Sequence, residues 1–322
     1  MHLPTSSDLD AAGATVYAAM PPTPQYSWPL LNEALGVETW IKHENHTPTG
    51  AFKVRGGLVY VDALARRLPG VKGIVLATRG NHGLSLAYAA RRHGLQATIV
   101  VPHGNSTEKN AGMRALGARL IEHGNEFQAS REHALMLAER DGLHMVPSYH
   151  PDLVAGVATA WMELLRAHPG LELLLAPIGQ GSSICAAIAA RNALGLKMPI
   201  IGVVSQHALA YQLSFRARRS VESPVTTVLA DGLACRVPDP DSLAMILEHV
   251  EDVVAVSDEQ VAAAMRLYHR ATHNTAEGAG AAALAAALAL QQDPAWRGRS
   301  IGLPLTGGNV DTAMLAGVLH GA

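Results

Sequence analysis

A lysine set at a turn, and a glycine-rich loop that follows a strand, are the residues best placed to do chemistry. Lys53 ends the run Thr47-Pro48-Thr49-Gly50-Ala51-Phe52-Lys53, which continues as Val54-Arg55-Gly56-Gly57. The stretch reads as a strand over Thr39–His43, a turn built on Pro48 and Gly50, and a helix starting near Lys53. An amine between Phe52 and Val54 at such a turn can be partly desolvated, which favours its neutral form and attack on a carbonyl. A surface lysine snorkelling from a helix start fits the same residues.

The second segment is Pro177-Ile178-Gly179-Gln180-Gly181-Ser182-Ser183. Amides freed by glycine, two hydroxyls and a helix N-terminus make an anion site suited to one phosphate, although a tight structural turn has the same signature. It lacks the third glycine and following acid of a dinucleotide fingerprint, and the lysine of a nucleotide-triphosphate loop. Thr78-Arg79-Gly80-Asn81-His82-Gly83 and Pro304-Leu305-Thr306-Gly307-Gly308-Asn309 are two further turns able to bring amides or hydroxyls to a shared crevice. Each alone also fits an ordinary turn.

The elements that must position these loops alternate. Strands are expected at Thr39–His43, Gly73–Ala77, Ala97–Val101, Arg119–Glu122, Leu171–Pro177, Ile200–Val204, Val253–Val256 and Ile301–Leu305. Helices are expected at Leu84–His93, Glu108–Leu116, Ser130–Arg140, Val154–Ala167, Ile184–Leu194 and Asp258–His269, where apolar residues recur at three and four. Gly278–Leu290, mostly alanine and too short to span a bilayer, reads as a buried helix. The pattern is α/β, with doubly wound open sheets whose carboxyl edges gather ligand-binding loops.

Of 322 residues 48% are hydrophobic and 16% charged, enough apolar surface for a large core. A net charge of -2 gives no field to attract nucleic acid or an anionic membrane, so a small-molecule partner is favoured. Two cysteines, Cys185 and Cys235, make no disulfide framework or zinc spacing, and Met1–Met20 has neither the basic start nor the apolar run of a signal peptide. A cytoplasmic protein is expected.

In their order and spacing the four segments, with Ala230-Asp231-Gly232-Leu233 and Glu277-Gly278-Ala279-Gly280-Ala281-Ala282, resemble the fold-type II pyridoxal-phosphate enzymes, in particular the serine/threonine dehydratase branch. The resemblance covers nearly the whole chain. It implies two doubly wound sheets with pyridoxal 5'-phosphate in the cleft between a large domain, 1–72 with 149–322, and a small one, 73–148. It implies that Lys53 holds the cofactor as a Schiff base, that Phe52 packs on the ring, and that Asn81 bonds the ring oxygen. Gly179, Gln180, Gly181, Ser182 and Ser183 would hold the phosphate, and Glu277 falls in a matched cofactor motif. Thr306 would face the pyridine nitrogen, where a neutral hydroxyl makes a weaker electron sink than a carboxylate and favours elimination over transamination. Amides around Thr78, Gly80, Asn81 and His82 would take the substrate carboxylate, and the family suggests a homodimer.

Four departures stand out. Ala51 replaces the usual serine, Gln180 and Ser182 replace two phosphate-loop glycines, and Ser205 and its neighbours lack the acidic ligands of some relatives, so no metal is expected. Arg79 stands where a small residue is common; a guanidinium cannot accept a proton at neutral pH, which argues against racemisation through this position. His43, His46, His123 and His133 are expected to be surface or capping residues, and Arg216–Arg219 a solvated helix face. Lys42, Lys72, Lys109 and Lys197 are expected to take no part in holding the cofactor.

The expected reaction is loss of the β-hydroxyl and amine of threonine or serine, giving a 2-oxo acid and ammonium in amino-acid catabolism, with Lys53 as base. No regulatory domain is expected after Asn309. Rival readings are a dehydratase of 3-hydroxyaspartate or phenylserine, a nicotinamide-dependent Rossmann dehydrogenase, and a non-catalytic binding protein. The missing fingerprint counts against the dehydrogenase, and the lysine motif against the binding protein.

Overall fold

The β-branched runs form two sheets in the computed structural model, which describes residues 3–321. The strands are β1 (Gln25–Ser27), β2 (Thr39–His43), β3 (Gly73–Ala77), β4 (Gln96–Val101), β5 (Arg119–Glu122), β6 (His144–Met145), β7 (Leu173–Pro177), β8 (Ile200–Ser205), β9 (Asp252–Val256) and β10 (Ile301–Leu305). One sheet has the order β1-β2-β10-β7-β8-β9 and the other β5-β4-β3-β6. All pairings are parallel except β1 with β2. Every residue of β3, β7, β8 and β10 is buried, because helices cover both faces of a parallel sheet.

Register decides where the loops meet. Ile301 of β10 pairs with Thr39 on one side and Leu173 on the other, so β2, β10 and β7 end side by side. The turn before Lys53, the Thr306–Asn309 segment and the Gly179–Ser183 loop therefore leave the same edge.

Thirteen helices connect the strands among the described residues: α1 (Ser6–Tyr17), α2 (Pro29–Leu35), α3 (Lys53–Arg67), α4 (Asn81–Arg92), α5 (Thr107–Ala115), α6 (Phe127–Asp141), α7 (Pro151–Ala167), α8 (Ser182–Ala193), α9 (Ala210–Ala217), α10 (Pro240–His249), α11 (Asp258–Thr272), α12 (Gly278–Leu290) and α13 (Thr312–His320). Small side chains let α12 lie buried close against the large sheet. Helices α3 and α7 touch backbone to backbone at Gly156, where an added Cβ would lie 2.2 Å from the Arg55 carbonyl oxygen. No described helix is long and apolar enough to cross a membrane.

Beneath α3 lies a buried ionic cluster. Arg55, fully buried, donates from Nε to Glu44 Oε2 at 2.7 Å and from Nη1 to Glu163 Oε1 at 2.6 Å. Lys42 Nζ lies 2.5 Å from Glu163 Oε2 and donates to the Thr23 carbonyl at 2.7 Å. Two cations balance two carboxylates, and removing one partner of such a set typically costs about 3–5 kcal/mol.

All eight expected strands form, four with the expected bounds and four with shifted ends: β7 starts at Leu173, not Leu171. Two more, β1 and β6, were too short to show alternation, and α1, α2, α9, α10 and α13 also went unread. His43 is not a surface or capping residue but 1% exposed in β2, where burial pushes its imidazole down to about 4. Its Nε2 accepts a hydrogen bond from Trp28 Nε1 at 2.9 Å, the pairing that lets it be buried neutral. His123 and His133 stack with ring centroids 3.9 Å apart, and Arg216–Arg219 are exposed as expected.

Candidate active site

Lys53 is the first residue of α3, and its position is set from both sides. The Phe52 amide donates to the Thr306 carbonyl at 2.9 Å, the Gly308 amide to the Gly50 carbonyl at 2.9 Å, and Ala51 bridges Gly307. Gly50 has φ +69° and a Cβ there would meet Asn309 Oδ1 at 2.4 Å, so the turn needs glycine for both conformation and space. On the far side, Ser85 Oγ donates to the Lys53 carbonyl at 2.6 Å. Burial lowers Lys53 to about 8, with Glu277 pulling it partly back up. An amine near 8 is substantially neutral at mildly alkaline pH, as a nucleophile or base requires. Its Nζ lies 4.8 Å from the Phe52 ring centroid.

The Gly179–Ser183 loop runs into α8 with Gly181 as the N-cap at φ +100°. Among the described residues no acceptor is found for the amides of Gly179, Gln180, Gly181, Ser182 or Ser183. Five consecutive free amides at a helix N-terminus form an anion cradle. Phe52, Ser183 and Thr306 line one small cavity, which brings the loop, the lysine turn and the β10 segment together. Thr306 is 4% exposed and its hydroxyl has only a long contact, 3.4 Å, to the Ala279 carbonyl.

Around Asn81 runs a polar chain. Asn81 Nδ2 donates to Glu277 Oε1 at 2.5 Å, and its Oδ1 accepts from Asn309 Nδ2 at 2.8 Å. Glu277 is 3% exposed, and burial raises its carboxyl despite the nearby Lys109. Lys109 Nζ lies 2.8 Å from Asp231 Oδ2 and 3.4 Å from Glu277 Oε2. Burial opposes the Lys109 charge, but the two carboxylates outweigh it and hold the ammonium well above its ordinary range.

In the Thr78–His82 loop the Thr78 amide donates to the Val100 carbonyl at 3.1 Å and the Gly80 amide to Thr78 Oγ1 at 3.0 Å. Asn81 and His82, first in α4, have amides with no acceptor among the described residues. The His82 ring is half-buried and held neutral, pushed down to about 3 by loss of solvent and the Lys53 charge, with Nε2 3.2 Å from the Pro147 carbonyl. Arg79 is exposed, and no hydrogen bond or ion pair holds its side chain among the described residues.

Sequence reasoning missed Lys109 as part of this site. It lies in the first turn of the helix after β4, at a carboxyl edge, and that placement was the available signal. Asp231 and Asn309 stood in quoted motifs without a role; their partners, more than 100 positions away, come only with the fold.

Comparison with known proteins gives a consistent set of likenesses. A family model described as pyridoxal-phosphate dependent enzyme matches residues 16–307. An L-threonine ammonia-lyase of Thermotoga maritima is 31% identical over 292 residues, covering 90% of this chain and 72% of that protein. An L-threo-3-hydroxyaspartate ammonia-lyase of Pseudomonas sp. is 31% identical over 324 residues, covering 100% of both. Among solved structures, a maize serine racemase superposes with a TM-score of 0.92 at 26% identity, over 99% of this chain and 98% of that one.

Proposed function

Because the chain belongs to the family of pyridoxal-phosphate dependent enzymes, we propose that it is an ammonia-lyase converting a small β-hydroxy amino acid to a 2-oxo acid and ammonium. The observation that carries this is the pairing of Lys53, held near 8, with five unpartnered amides at Gly179–Ser183. The residues fit pyridoxal 5'-phosphate: the amides and the Ser182 and Ser183 hydroxyls suit its phosphate, and the lysine its carbonyl carbon. When bound, the cofactor supplies an electron sink conjugated with the substrate Cα.

Lys53 is the residue that would hold the cofactor through its Nζ, and once free that neutral amine would take the proton from the substrate Cα. The free amides of Asn81 and His82 bind the substrate carboxylate. Phe52 would pack against the cofactor ring, while Thr306 would offer its nitrogen only a neutral hydroxyl, which supports elimination. The β-hydroxyl departs with a proton as water, and hydrolysis of the remaining enamine releases the 2-oxo acid and ammonium. Glu277 and Lys109 set the charge beside Asn81.

Threonine and 3-hydroxyaspartate, which the relatives' names carry, and serine, the smallest β-hydroxy amino acid of this kind, are the substrates to test first. The same reading takes residues 73–148 as the small domain and the rest as the cofactor-binding one, in a cytoplasmic catabolic homodimer. Purified protein should show a visible absorption band that borohydride bleaches, with the trapped cofactor on the Lys53 peptide, and should release ammonium from at least one of the three substrates. Attachment at another lysine, or no visible band, overturns the proposal.

A further inference from the structure

The amides of Gly179–Ser183 bind an anion only if they point into the crevice, and glycine does not hold them there. Something outside the loop must. Tyr211, on α9, is 1% exposed, and burial pushes its phenol far above the ordinary range, so it stays protonated. Its hydroxyl donates to the Gln180 carbonyl at 3.1 Å, accepts the Asp239 amide at 3.1 Å, and shares a 2.5 Å hydrogen bond with Ser242 Oγ. With Ser242 Oγ donating to the phenol, the one donor serves the Gln180 carbonyl and both lone pairs are used.

The first of these bonds has a geometric consequence. In a trans peptide the carbonyl and the next amide point in opposite directions. Turning the Gln180 carbonyl toward Tyr211 therefore turns the Gly181 amide away from it, as an anion donor. Ser242 closes the other side, since a Cβ at Gly181 would lie 2.5 Å from the Ser242 Cβ. The loop is thus clasped between α9 and the start of α10, whose N-cap Asp239 accepts from the amides of Asp241 and Ser242.

We infer that Tyr211 is a positioning residue for the cofactor phosphate: its hydroxyl holds the Gln180–Gly181 peptide in the anion-binding orientation and so sets how tightly the phosphorylated cofactor is held. The inference rests on the proposed pyridoxal-phosphate chemistry, and its test separates the two. Apo-protein, stripped with hydroxylamine, is titrated with pyridoxal 5'-phosphate and with pyridoxal, which reaches Lys53 but has no phosphate. In Tyr211→Phe the dissociation constant for the phosphorylated form rises about ten- to a hundredfold, the loss of one charge-assisted hydrogen bond, while that for pyridoxal changes little. The ³¹P resonance of bound cofactor shifts with it.

An unchanged phosphate affinity overturns the inference, and so does an equal loss for both ligands, which marks general damage. If Tyr211→Phe fails to fold, Ser242→Ala, which removes one partner of the same hydroxyl, is judged by the same ratio. Failure of wild-type protein to take up either ligand instead refutes the proposed function.

Discussion

Lys109 Nζ lies 3.4 Å from Glu277 Oε2, so a lysine on the helix after β4 neutralises a carboxylate at the start of α12, the helix against the large sheet. Replacing Lys109 by methionine leaves Glu277 and Asp231 without their cation, and a loss of about 3 kcal/mol of stability is expected. Burial already raises Glu277 in the fold, so the folded state binds more protons than the unfolded one above the ordinary carboxylate range, and stability falls as pH rises through that window. Without Lys109 the window widens upward. The deficit of Lys109→Met against wild type should therefore be larger at pH 8 than at pH 4 in denaturant melts, and a pH-independent deficit would count against this charge coupling.

Lys53 should attach the cofactor with a pH midpoint near 8, the value to which burial lowers it. Stopped-flow absorbance of apo-protein mixed with pyridoxal 5'-phosphate measures this directly. A rate still climbing between pH 9 and 10 would mean that the amine is not desolvated. Lys53→Ala should abolish turnover and covalent attachment while leaving the far-ultraviolet spectrum unchanged.

Thr306 tests the electronics of the site. Among the described residues its buried hydroxyl has no short partner, which leaves it available to the ring nitrogen. Thr306→Asp places a charge there and favours ring protonation, so elimination should slow on the order of tenfold and side transamination should increase. The ratio of 2-oxo acid to aminated cofactor, read by chromatography, decides; an unchanged ratio and rate would show that Thr306 faces elsewhere.

Arg79 bears on substrate choice. Exposed, and among the described residues unpaired, beside the unpartnered amides of Asn81 and His82, its guanidinium is available to a second carboxylate. Arg79→Ala should lower kcat/KM for 3-hydroxyaspartate about ten- to a hundredfold and leave threonine and serine nearly unchanged. A uniform loss would assign Arg79 to the α-carboxylate, and no loss would remove it from recognition.

How much of this could be read in the sequence depended on range. Lys53, Gly179–Ser183 and Thr306 could be picked out as candidates because each lies in a short motif whose turn chemistry is local. The strands β3, β4, β7, β8 and β10 were legible because each is a run of apolar residues bounded by breakers. Lys109, Asp231 and Tyr211 were not, since their roles come from partners on other elements. The burial of His43 and Lys42 was hidden for the same reason: charge and polarity argue for exposure until Trp28 and Glu163 are seen beside them.

The bridge between Ala51 and Gly307, with the Phe52 amide on the Thr306 carbonyl, also has a consequence for synthesis on the ribosome. The turn that houses the reactive lysine is completed by residues some 250 positions later. Until that segment has emerged and paired, the Lys53 amine of the nascent chain stays hydrated and protonated, with the ordinary basicity of a lysine. A half-made chain is therefore expected to show no special reactivity toward free aldehydes, with cofactor capture at Lys53 following the docking of β10.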